Sequence, residues 1–129
     1  MITVTYGATL HIDDALAPLN ALWQMQPNEP KWYWNQRTNI LHRLQEDMED
    51  DLNKCDPNIE RVCIDHLNWI SCEFDIEDHK DLPEQILKVK WKVQEIIDWA
   101  IAEYPKRLKQ FHDDLIADDV EIPLDVYRP

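Results

Sequence analysis

Apolar positions along the chain change period several times, and the changes mark out its elements. Between residues 2 and 12, Ile2, Val4 and Tyr6 alternate with Thr3 and Thr5, the period-two pattern of a half-buried strand. Gly7 offers a point where the chain could turn back through Thr9 and Leu10, giving a short N-terminal β-hairpin that would be marginal alone. Asp13 or Asp14 can cap a short helix carrying Leu16, Leu19, Leu22 and Trp23, with Pro18 suited only to its first turn. A break at residues 26–30 precedes a long helix expected over about residues 30–54. Its buried stripe is Trp34, Leu41, Leu44, Met48 and Leu52.

After Asp56-Pro57 the pattern is ambiguous. Ile59, Val62, Cys63, Leu67, Ile70 and Phe74 fit a helix, whereas Ile70, Cys72, Phe74 and Ile76 fit a strand. Asn58 as a cap and the continuous stripe favour helix through about residue 71. Asp81 and Glu84 around Pro83 then resemble a capping box, and Ile86, Val89, Val93, Ile96, Ile97, Ala100 and Tyr104 continue an apolar face. Pro105 is expected to kink or restart that rod. Leu108, Phe111, Leu115 and Ile116 make the last amphipathic piece. The fold class expected is mainly α: a single domain over residues 1–129, built as a small helical bundle with long helices. The N-terminal hairpin would lie within residues 1–12, the helical body over 30–118 and an extended tail over 121–129.

Composition agrees with a packed domain. The 129 residues are 44% hydrophobic and include six Trp, four Tyr and two Phe, enough large side chains for a core. Three cysteines, Cys55, Cys63 and Cys72, are an odd number, and the start has neither a basic region nor a long apolar run. A cytoplasmic protein without a membrane span is the expectation.

Charge changes the picture most. Thirteen Lys+Arg stand against 26 Asp+Glu, for a formal net charge of −13. That repels phosphate backbones and argues against direct nucleic-acid binding, while favouring partners with basic surfaces. The carboxylates gather in three clusters: Glu46, Asp47, Glu49, Asp50 and Asp51; Glu73, Asp75, Glu77, Asp78 and Asp81; and Asp113, Asp114, Asp118, Asp119 and Glu121. The first crowds the C-terminal end of a helix, where the dipole prefers cations and each carboxylate costs about 0.3–1 kcal/mol. Carboxylates three or four residues apart on a helix lie roughly 5–6 Å from one another, a spacing comparable to a phosphate track at one charge per ~3.4 Å of strand. A solvated acidic face that only keeps the chain soluble is the plainer alternative.

Other chemistry has weaker support. Gly7 is the only glycine and Ser71 the only serine, so neither a phosphate-cradling loop nor a nucleophile elbow can be built. His11, His42, His66, His79 and His112 are scattered, with no zinc spacing, and the Asp75 stretch lacks the glycine and distal glutamate of a calcium loop. Neither a metal nor a cofactor is expected. Glu46 with Glu49, and Glu95 with Asp98, could hold Mg²⁺ as in the all-helical nucleotide pyrophosphatases, which keeps a hydrolase as an alternative. Trp32, Tyr33 and Trp34 are consecutive, so one helix face cannot bury them all. Trp32 and Tyr33 are therefore candidate anchors for a partner or for a homodimer contact.

The middle of the chain resembles the Gam family of lambdoid phages. The resemblance is carried by Leu44, Asp47, Met48, Glu49 and Leu52, then by the run Cys63, Ile64, Asp65, His66 and Leu67, then by Phe74-Asp75 and a helix around Val93 and Ile97. It covers roughly residues 44–98. The first forty residues do not look like Gam, and the segment between Leu52 and Cys63 is slightly longer. The resemblance implies a mainly helical, dimeric inhibitor of the RecBCD exonuclease that imitates DNA. It also implies that the Cys63–Leu67 run is structural, with Ile64 and Leu67 in the core. The expected function is thus an acidic DNA mimic, not an enzyme, that fills the basic DNA channel of a host nuclease or other DNA-processing protein. The alternative in the same binding class is an immunity protein or antitoxin against a basic toxin.

Overall fold

The computed structural model describes residues 4–55, 59–76 and 82–119. Its elements run β1 (Val4–Leu10), α1 (Asp13–Asn20), a 3-10 turn (Ala21–Trp23), α2 (Lys31–Asn53), β2 (Ile59–Asp65), β3 (Trp69–Ile76) and α3 (Leu82–Ala117). The fold is mainly helical, and the three strands form one antiparallel sheet in the order β1-β3-β2.

That sheet corrects two expectations. Residues 59–71 do not form a helix; they form β2, a loop and the start of β3. The N-terminal segment is not a hairpin either, because Gly7 lies inside β1, opposite Glu73 of β3. The strand reading wins in the middle because period two places Val62 and Ile64 of β2 beside Cys72 and Ile70 of β3, and all four are buried. Ala8 and Leu10 of β1 extend the same row. The α2 residues Leu41, Leu44, Met48 and Leu52 and the α3 residues Val89, Val93, Ile97 and Ala100 close over it in a single core.

The turn between β2 and β3 has no glycine, although His66 and Leu67 both adopt positive φ, 48° and 63°. Asn68 N–H donates to Asp65 O across it at 2.8 Å, the geometry of the mirror-image turns that match strand twist. Leu67 is held in this costly conformation by complete burial of its side chain. Ile64 and Leu67 are both core residues. At the end of α1, the Asn20 side-chain amide donates to the carbonyls of His66 and Leu67 (2.7 and 3.1 Å) and fastens the loop.

The helices follow the sequence pattern with local differences. Helix α2 spans Lys31–Asn53, but Tyr33 rather than Trp34 joins its buried stripe. Trp34 is half-buried and donates its indole N–H to Trp23 O at 3.1 Å. Pro18 sits in the second turn of α1, which ends two residues later. The expected side-chain cap is absent there: Ile12 is the N-cap. Helix α3 passes through Pro105 unbroken. Pro105 is solvent-exposed, and Ile101, whose carbonyl loses its helical donor, borders an open groove.

A buried ion pair organises the loop before α2. Arg37 Nε donates to Glu29 Oε1 at 2.8 Å and Nη2 to Glu29 Oε2 at 3.2 Å. The same guanidinium donates to the carbonyls of Leu22 and of Gln24, the latter at 2.8 Å. Glu29 Oε2 accepts in addition from Gln26 N–H at 2.7 Å. Burial works against the Arg37 charge, but Glu29 and the buried Tyr104 hydroxyl outweigh it, so the pKa of Arg37 is raised.

Candidate functional site

The structure places the first acidic cluster and the described part of the third at two poles; Glu121 falls outside the described residues. Helices α2 and α3 both end without a basic residue in the last turn, so their carboxylates add to the negative end of each dipole. Arg107 of α3 lies beside Asp47 of α2, and His112, further along α3, lies beside Tyr33 near the start of α2. The acidic end of α3 therefore points away from that of α2. Asp51 is five turns along α2 from Tyr33, roughly 27 Å of helix axis.

At the α2 pole, Glu46, Asp50 and Asp51 are exposed. Among the described residues they have no ion-pair partner. Two neighbours are committed elsewhere. Asp47 accepts from Arg107 Nη2 at 2.6 Å, and Glu103 shares that guanidinium at 3.5 Å. Glu49 accepts the backbone N–H of Ile64 at 2.9 Å. Glu49 belongs to a row, Gln45, Glu49 and Asn53, whose members stand four residues apart and face the edge of β2. Asn53 accepts from Val62 N–H at 2.7 Å, and Gln45 donates to Ile64 O. These contacts, that of Glu49 included, satisfy an edge strand that would otherwise expose its backbone.

At the α3 pole, Asp113, Asp114, Asp118 and Asp119 are all exposed. Asp114 accepts from Gln110 Nε2 at 3.0 Å, and none of the four is ion-paired among the described residues. Of the middle cluster only Glu73 is described with its surroundings. Glu73 lies on β3 opposite Arg61 of β2. The Cys63 sulfur, 2.9 Å from Arg61 Nε, and then Glu73 hold the Arg61 pKa up. Asp75 lies in β3 opposite Thr5, while Glu77, Asp78 and Asp81 fall outside the described residues. Between the poles, a cleft of about 530 Å³ is lined by Ile40, Arg43, Glu46, Asp47, Arg107 and Gln110. Its two arginines interrupt the negative surface, so among the described residues the exposed helix-end carboxylates make two patches.

The aromatic anchors separate. Trp32 is 43% exposed and remains available to a partner, whereas Tyr33 is 0% exposed and belongs to the interior. The Tyr33 hydroxyl meets His112 Nε2, and the two rings stack with centroids 5.5 Å apart. Burial lowers the His112 pKa, opposed by Asp113. The sign follows from linkage. Above about pH 6.5 the imidazole is neutral in both states; below it the unfolded chain binds a proton that the folded chain resists. Stability is therefore expected to fall as pH drops below about 6.5. His112→Gln should flatten that part of a stability-versus-pH curve measured by urea unfolding.

Two surfaces were not signalled by the apolar stripes. On α3, Leu87, Trp91 and Ile101 are exposed along one face, with Trp91 at 63%. Their signal is a large apolar residue off the core stripe. That face leads into a groove of about 520 Å³ between α1 and the second half of α3, with Leu19, Leu22, Tyr104 and Leu108 among its walls. Of the four carboxylates of the hydrolase alternative, Glu46 has no ion-pair partner among the described residues and the other three have separate contacts. Glu49 bonds β2, Glu95 pairs with Lys92 at 3.4 Å and Asp98 accepts from Gln94 at 3.1 Å. Among the described residues no three His, Cys, Asp or Glu side chains are grouped to hold a metal ion. No described helix is long and apolar enough to cross a membrane. No protein-family model matches this chain, and no curated protein or solved structure matches it.

Proposed function

We propose that this chain is a non-catalytic acidic protein that occupies the basic DNA channel of a DNA-processing enzyme. The observation that carries this reading is the set of exposed carboxylates at the ends of α2 and α3. Glu46, Asp50 and Asp51 form one patch, and Asp113, Asp114, Asp118 and Asp119 form the other. Neither patch has a basic residue in the last helical turn. A sequence under selection for stability alone would place cations there. Two patches separated along the molecule suit a channel whose basic walls contact DNA at more than one point. Trp32 supplies an exposed aromatic anchor beside the α3 pole, next in sequence to Tyr33, which holds His112.

The test is inhibition of duplex-end digestion by an exonuclease of the RecBCD type, titrated with the chain. Inhibition is expected to weaken as salt rises. Converting the seven carboxylates to their amides is expected to slow association by about ten- to a hundredfold at low salt, the range of electrostatic steering. Unchanged digestion at large molar excess would remove such nucleases as targets. Equal inhibition by the amide variant would remove the mimicry reading itself. Capture of a basic toxin instead of a DNA enzyme would assign the same acidic surface to an immunity protein.

A further inference from the structure

The sheet has two edges, and among the described residues only one is closed. On the β2 edge, Asn53 and Glu49 accept the N–H groups of Val62 and Ile64, and Gln45 donates to the Ile64 carbonyl. These bonds fix the phase of the whole ladder. Val62 and Ile64 turn their backbone groups away from β3, so their opposite numbers Cys72 and Ile70 turn theirs away from β2 and toward β1. Ala8 and Leu10, opposite Cys72 and Ile70, then bond to β3, and the intervening residues Thr5, Gly7 and Thr9 turn N–H and C=O outward. Among the described residues no group bonds to these outward positions.

The strand itself carries none of the protective features of an edge strand. Over Val4–Leu10 there is no charge, no proline and no register shift against β3. A stretch without charge is notable in a chain of net charge −13. The segment is also self-complementary about its centre. Stepping outward from Gly7, the large Tyr6 stands against the small Ala8, Thr5 matches Thr9 and the aliphatic Val4 matches the aliphatic Leu10. A twofold interface requires a surface that complements itself.

We propose that β1 pairs antiparallel with β1 of a second copy, on a twofold axis at Gly7, joining two three-stranded sheets into one of six strands. In that register Gly7 faces Gly7 of the second copy and Thr5 faces Thr9. The three outward residues of each strand then exchange about six backbone hydrogen bonds. Thr opposite Thr is a favourable cross-strand pair, and the open space around Gly7, where an added Cβ would meet nothing within 4 Å, leaves room for close approach. This pairing is independent of the acidic reading and has the opposite salt dependence. Two copies of net charge −13 repel each other, so screening strengthens the dimer.

Sedimentation equilibrium of the full chain tests the proposal. The expected mass is about twice the 15.5 kDa of one chain, with dissociation on dilution favoured at low salt. Thr5→Lys with Thr9→Lys puts like charges opposite each other twice and should raise the dissociation constant about tenfold or more. Thr5→Glu with Thr9→Lys puts opposite charges at the same two places and should restore the dimer. Circular dichroism checks that each variant remains folded. A monomer of wild-type chain at every concentration would overturn the proposal. So would folded double variants that dissociate equally, because only this register makes the two charge patterns differ.

Discussion

Arg37→Met is expected to lower the unfolding free energy by about 3–5 kcal/mol, the range for breaking a buried ion pair from one side. The carboxylate of Glu29 would stay buried without its cation, and the carbonyls of Leu22 and Gln24 would lose their donors. For a chain of this size that corresponds to a fall in Tm of roughly 10–20 °C. Urea unfolding followed by tryptophan fluorescence should show a lower midpoint with an unchanged slope. The double variant Glu29→Leu with Arg37→Met should lose less than either single change, since it leaves no buried charge uncompensated. Additive losses would mean that the two side chains act separately, against the geometry at 2.8 Å.

Phe74→Ala is expected to cost about 3–5 kcal/mol, for lost burial and the cavity left behind. Phe74 is 1% exposed on β3, the central strand, which pairs with β1 on one side and β2 on the other. Trp91→Ala removes a larger side chain, yet it should change stability by no more than about 0.5 kcal/mol, because Trp91 is 63% exposed. The contrast is measured on the same unfolding curves. A large loss for Trp91 would show that its face of α3 is covered in solution, and a small loss for Phe74 would contradict the sheet.

The two long helices were legible because period 3.6 recurs over many residues: Leu41, Leu44, Met48 and Leu52 on α2, and Val89, Val93, Ile97 and Ala100 on α3. The strands at residues 59–76 were not, and the reason is physical. Apolar residues there satisfy both periods, and the turn at His66 and Leu67 uses positive φ without the Gly or Asn that normally marks it. What settles β2 is tertiary: its outer N–H groups are met by Glu49 and Asn53 from α2. The same contacts give neighbouring carboxylates different surroundings. Glu49 and Asp47 look alike in sequence to Glu46 and Asp50, but one caps a sheet edge and the other pairs with Arg107 sixty residues away. Tyr33 and Trp34 exchanged roles because the tyrosine ring finds His112 on α3, a contact with no trace in local periodicity.

Placement of the exposed, unpaired carboxylates toward the ends of α2 and α3 leaves one functional claim to decide, that the two acidic patches and DNA compete for a single channel. The direct measurement is displacement. A partner held by the immobilised chain is challenged with duplex DNA at fixed ionic strength. Mimicry predicts that duplex releases the partner in proportion to its concentration, and that the chain carrying amides at Glu46, Asp50, Asp51, Asp113, Asp114, Asp118 and Asp119 captures far less partner than the wild type. A stable assembly of chain, partner and duplex together would contradict it.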